Sequence, residues 1–179
     1  FWNNKIYKNL NIRLLGGGKL ETRKEKAIRL FKEGYNCSQA VFAAFSDLYN
    51  VEEEVALRLS ASFGGGMGRM REVCGAVSGM FMVAGLEKGS IDPKDSFGKK
   101  NNYDLVVKMA NEFKEKNNGT ILCRELLGVK KENAVDTTPS PRTTEYYKKR
   151  PCVDLVAQCA EIVERYILKY SKKLITLIK

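Results

Sequence analysis

The sequence runs to 179 residues, 44% hydrophobic and 29% charged, with a net charge of +10 and no histidine. That length and balance suit a single globular domain with its own core, and the missing imidazole excludes Ser-His and Cys-His nucleophile pairs, histidine general bases and histidine-ligated metals. The positive charge does not point to nucleic acid: Lys5, Lys8, Arg13 and Lys19 at one end and Lys169, Lys172, Lys173 and Lys179 at the other carry most of it, and no nucleic-acid motif accompanies them.

Residues 1–20 read as an arm, because Gly16, Gly17 and Gly18 separate a polar lead from the first good helix. The lead has no apolar signal-peptide core and no small-residue cleavage site, so the reading is cytoplasmic. A first helix is expected from Thr22, with Glu25 completing a capping box, Ala27, Leu30 and Phe31 inward and Gly34 as the stop. Asn36 caps a second helix over 37–49, with Cys37 in its first turn and Val41, Ala44, Phe45 and Leu48 on the same stripe. A short third helix is expected over 52–62, with Val55, Ala56 and Leu59 inward.

The central stretch, 63–86, opens with Gly64, Gly65, Gly66 and Gly68, a run that neither helix nor strand tolerates well. Arg69 and Arg71 follow, then an apolar helix over 70–87 carrying Cys74, Gly75, Ala76 and Gly79. These small residues strip one face almost to backbone, so another element or a prosthetic group can approach closely. The longest apolar run, 73–86, falls short of the roughly 20 residues of a membrane span. Met67, Met70, Met80 and Met82 read as adaptable core.

Asp92-Pro93 is the expected start of a long charged helix reaching about Asn117, with Tyr103, Val106, Val107, Ala110 and Phe113 inward. A turn or two of helix surrounds Cys123, and 129–149 reads as a loop. Pro151 opens a last helix striped with Cys152, Leu155, Val156, Cys159, Ile162, Val163, Tyr166 and Ile167. The fold class is therefore all-α, about six helices over 21–170, with 171–179 a basic helical extension.

Of the five cysteines, Cys37, Cys74, Cys123 and Cys152 each fall at a predicted helix start. Arg69 and Arg71 precede Cys74, Arg124 follows Cys123, and Arg150 precedes Cys152. Helix N-termini and cations favour thiolate, so these four are expected to be reactive or ligating. Cys159 lies on the apolar stripe and reads as core. No C-x-x-C pair is present, so the knuckles of zinc ribbons are missing. The glycine loop lacks a preceding strand and a G-K-[ST] ending, so neither the P-loop nor the dinucleotide fingerprint applies.

Together, Asn36-Cys37-Ser38, Gly64-Gly-Gly-Met-Gly, Cys74-Gly-Ala-Val-Ser-Gly79, Leu122-Cys123-Arg124-Glu125-Leu126 and Cys152 on a final helix make the chain resemble the redox-active family labelled C_GCAxxG_C_C. The likeness covers roughly 23–168, although the motif here reads C-G-A-x-x-G, with Gly after Cys. It implies that Cys37, Cys74, Cys123 and Cys152 are the four motif cysteines.

Three readings follow, two of them for an electron carrier or oxidoreductase and the third for a non-enzymatic protein. In the first, the four thiolates bind an iron–sulfur cluster, most simply [2Fe–2S]. Gly64, Gly65, Gly66, Gly68 and Gly75 then give it close backbone, and Arg69 and Arg71 offset its charge. In the second, Cys74 attacks a disulfide and another cysteine resolves it. In the third, zinc on four thiolates stabilises an interaction protein. The expected partner is another redox protein, without nucleic acid or membrane span, and a homodimer stays open.

Overall fold

The computed structural model describes residues 21–130 and 137–168, so the expected arm at 1–20 and extension at 171–179 lie outside the described residues. Eight α-helices stand among them: α1 (Arg23–Lys32), α2 (Cys37–Ala43), α3 (Glu53–Ala61), α4 (Gly75–Lys88), α5 (Ser96–Glu115), α6 (Cys123–Leu127), α7 (Thr144–Lys149) and α8 (Cys152–Val163). A 3₁₀ turn, Ser46–Tyr49, follows α2, and a π turn, Glu164–Leu168, extends α8. The all-α expectation holds.

The apolar α4 occupies the centre, packed against α2, α5 and α8, while α8 also packs on α1. Phe31, Phe45, Met80, Phe113 and Ile162 are fully buried between them. The stripped face of α4 has a definite use. A Cβ on Gly79 would come within 2.7 Å of Ser38 O and 3.1 Å of Val41 Cβ, so α2 lies almost on the α4 backbone.

α1 begins with the Thr22–Glu25 capping box: Thr22 Oγ1 accepts from Glu25 N at 3.1 Å and Glu25 Oε2 accepts from Thr22 N at 2.8 Å. α2 has the same reciprocal arrangement between Asn36 and Gln39. It ends earlier than its periodicity suggests, because Phe45 N bonds to Phe42 O and the chain tightens into the 3₁₀ turn.

Other elements depart further from the pattern. On α3 only Ala56 and Ser60 are buried, whereas Leu59 is 56% exposed and Val55 nearly as much. The small Ala56–Ser60 face permits close approach to α2, which Gln39 Nε2 secures by donating to Leu57 O. α5 starts at Ser96 and not at Pro93, because the Asp95 carboxylate accepts from Gly98 N at 2.7 Å and caps the helix there. Val106, Ala110 and Phe113 face inward, but Tyr103 and Val107 face solvent. Met80 is core, whereas Met70 is 61% exposed.

Candidate redox centre at four helix starts

Each of the four cysteines sits at the start of a helix in the structure. Cys74 is the N-cap of α4, and Cys37, Cys123 and Cys152 are the first residues of α2, α6 and α8. All four line one cavity of about 290 Å³. Cys159 does not: it is wholly buried in the core on α8, as its stripe position implied. All five cysteines are unbridged.

Two local devices bring the sulfurs together. The first is a short antiparallel clip. Val73 pairs with Leu122, Cys74 N donates to Ile121 O at 2.8 Å, and Cys123 N donates to Glu72 O at 2.6 Å. Arg124 N completes it on Arg71 O, and the Arg124–Glu72 ion pair at 2.6 Å ties the same strands by their side chains. The clip sets Cys74 and Cys123 beside each other. It also explains why α4 begins at Gly75 and not at 70, since 71–74 is committed to the clip.

The second device is the glycine loop, which coils left-handed. Gly65, Gly66, Met67, Gly68 and Arg69 all have positive φ, and Arg71 follows at +62°. Met67 N donates to Phe63 O and Arg69 N to Gly64 O across this turn. Consecutive left-handed residues are rare, and each non-glycine member costs roughly 1–2 kcal/mol. Strain of that kind persists where neighbours over-determine it, often at functional sites. The neighbours here are the cysteines. A Cβ on Gly66 would lie 2.6 Å from Cys123 Cβ, and one on Gly75 would collide with Cys37 Sγ and approach Phe63 O at 2.8 Å. Gly64, Gly65, Gly68 and Arg69 line the cavity, while Gly66 and Gly75 back the sulfurs without lining it.

A third wall comes from 137–150, where the sequence pattern suggested only loop. Thr143 Oγ1 accepts from Tyr146 N and caps α7. Tyr147 Oη donates to Phe31 O and Lys32 O, which fixes α7 to the end of α1. Arg142 lies between two rings, 4.6 Å from the centre of Phe31 and 4.7 Å from that of Tyr146. Thus Arg142 and Tyr146 join the site unforeseen. The one local signal was Thr143, a good N-cap residue ahead of Glu145. Part of the expected loop, 131–136, lies outside the described residues.

The electrostatics differ from the sequence-based expectation. Burial pushes the Cys74, Cys123 and Cys152 thiols up, with nearby Cys37 adding to the effect. Arg71, hydrogen-bonded to Cys123, and Arg150, near Cys123 and Cys152, pull the other way without prevailing. Desolvation outweighs helix ends and cations because the thiolate loses its water before any partner replaces it. Cys152 is pushed up to about 12 from an ordinary value of 9.0.

A raised thiol pKa stabilises the fold while the unfolded thiol is still protonated. That contribution is lost as pH climbs from about 9 toward 12, the folded value. Metal-free protein should therefore show a falling thermal midpoint across that window, and Cys152→Ala should flatten the fall. An identical pH profile for the variant would contradict the assignment.

Among the described residues, no three cysteine or carboxylate groups stand close enough to share a single ion. No described helix is long and apolar enough to cross a membrane.

No curated protein and no solved structure matches the chain. One family model does, described as "Putative redox-active protein (C_GCAxxG_C_C)", and it spans residues 35–166. That range takes in all four helix-start cysteines, the left-handed glycine turn and the clip, and on this match over most of its length the chain belongs to the C_GCAxxG_C_C family of redox-active proteins.

Proposed function

We propose that the protein is a one-electron carrier whose Cys37, Cys74, Cys123 and Cys152 hold an iron–sulfur cluster, most simply [2Fe–2S]. The observation that carries this reading is that four cysteines, far apart in sequence, line one cavity at four helix starts while the fifth does not. Four thiolates are the ligand complement of such a cluster. A two-iron cluster divides them two to each iron, so it does not require three donors around one ion. The same burial works against the dithiol reading, because Cys74 is 4% exposed and its thiol is pushed up, which leaves little thiolate to attack a disulfide.

Once bound, the cluster supplies one-electron transfer. The chain's own part is to receive and tune it. Ligation requires thiolates, so loading releases the thiol proton of each of the four ligands. Arg71 donates to the Cys123 sulfur, and Arg150 lies near Cys123 and Cys152, so both favour the ligated charge state. The strained glycine turn holds backbone against the sulfurs where a side chain would intrude. The electron passes to or from a separate redox protein in the reducing cytoplasm, a setting in which five unbridged cysteines persist.

The test is anaerobic purification followed by a visible spectrum and iron, sulfide and zinc analysis on one sample. About two irons and about two acid-labile sulfides per chain are expected. Colourless, metal-free protein with titratable thiols would replace this reading with disulfide chemistry, and stoichiometric zinc without iron would replace it with a structural metal site.

A further inference from the structure

Arg69, Arg71, Arg142 and Arg150 all line the cavity, and no aspartate or glutamate does among the described residues. Buried or half-buried arginines usually meet carboxylates, because a desolvated cation without a counter-charge is costly. Here two of them are given other support. Arg142 is clamped between the Phe31 and Tyr146 rings, with Nη2 donating to Tyr35 O at 3.3 Å and Nη1 to Tyr146 Oη at 3.0 Å. Arg150 stacks at 4.8 Å on the same Tyr146 ring. Both are positioned by aromatic faces, which fix a guanidinium without neutralising it. A guanidinium has five N–H donors in a planar fork, and Arg142 spends two of them on these protein oxygens.

We infer that the wall formed by Arg142, Tyr146 and Arg150 is a subsite for a small oxyanion, a carboxylate or phosphate group held beside the cysteines. Two guanidiniums fixed on one tyrosine ring offer the forked, charge-assisted donors that such groups accept. The cavity also holds whatever the cysteines bind, so the space left at this wall sets the size class: an inorganic ion or a small carboxylate, not a peptide or a nucleotide chain. This subsite stands on the arginines and shares Arg150 with the surroundings of Cys123 and Cys152.

Calorimetric titration of the full-length protein with inorganic phosphate and, separately, succinate tests it. Saturable one-to-one binding of at least one probe, weakening as chloride is raised, is the expected result. The probe that binds tells phosphate from carboxylate preference. Arg150→Gln and Arg142→Gln should each weaken it roughly tenfold or more, the scale of a lost charge-assisted hydrogen bond. Arg58→Gln, on the exposed face of α3 and paired with Glu54, should not. Should Arg142→Gln unfold, Arg150→Gln decides alone, since Arg150 is held by stacking on Tyr146 and not between two rings. Absence of binding by wild type, or equal weakening by all three variants, overturns the subsite. Either result leaves the spectrum and iron content of the same protein untouched, so the two readings fail separately.

Discussion

Cys37→Ala is expected to empty the centre, with bound iron falling below about one tenth of the wild-type content and the visible absorption lost with it, because no fifth thiol lines the cavity to replace the missing ligand. Cys37 is the decisive choice because it bears electrostatically on every other cysteine: its proximity raises Cys74, Cys123, Cys152 and even core-buried Cys159. Its sulfur also rests against Gly75 at the start of α4, the point where α2 and α4 meet the cavity. The side chain is only half-buried, so truncating it should leave the fold of the metal-free protein within about 1 kcal/mol of wild type. Cys159→Ala is the matching control. It removes a sulfur from the apolar core, costing roughly 1 kcal/mol or somewhat more through the small cavity left behind, and should retain full iron. Iron retained by Cys37→Ala, or lost by Cys159→Ala, would reassign the ligands.

Gly66→Ala is expected to lower stability by roughly 2–4 kcal/mol, from overpacking together with a forced left-handed backbone. The glycine has φ +74°, and its added Cβ would stand 2.6 Å from Cys123 Cβ and 3.0 Å from both Glu72 N and Glu72 O. Those backbone atoms are part of the clip, since Glu72 O accepts from Cys123 N. The methyl group therefore has to part 71–74 from 121–124 to find room. For a chain of this size the thermal midpoint should fall by roughly 5–15 °C, with iron content falling in parallel. Gly128→Ala isolates the backbone share, because Gly128 has φ +62° but nothing within 4 Å of an added Cβ. It should cost only about 1 kcal/mol. Similar losses for the two variants would mean that packing against Cys123 contributes nothing.

Most of the helical frame was legible because it follows local rules. The Thr22–Glu25 box, the Asn36 cap, the apolar stripe of α8 and the stripped face of α4 each depend on neighbours within a turn or two. The placement of four cysteines at helix starts was legible for the same reason, since Asn36, Pro151 and the glycine run mark those boundaries. Non-local pairing was not. Val73 and Leu122 carry no signal that they will meet across 48 intervening residues, so the clip and the delayed start of α4 were invisible. α3 was misjudged because close approach to α2 favours its smallest face, Ala56 and Ser60, over the more hydrophobic Val55 and Leu59. Thiol acidity was misjudged in sign, because helix starts are visible in a sequence whereas desolvation exists only once the cavity is closed.

The order in which the cysteines occur along the chain has a consequence for biosynthesis. Cys37, Cys74 and Cys123 precede the wall segment 137–150, and Cys152 arrives only with α8, the helix that packs on α1, α2, α4 and α5. A nascent or truncated chain ending before Pro151 holds three of the four cavity cysteines around a core without its closing helix. Any occupant that needs all four sulfurs must wait until nearly the whole domain has been made. An occupant held by all four sulfurs would therefore set finished molecules apart from fragments.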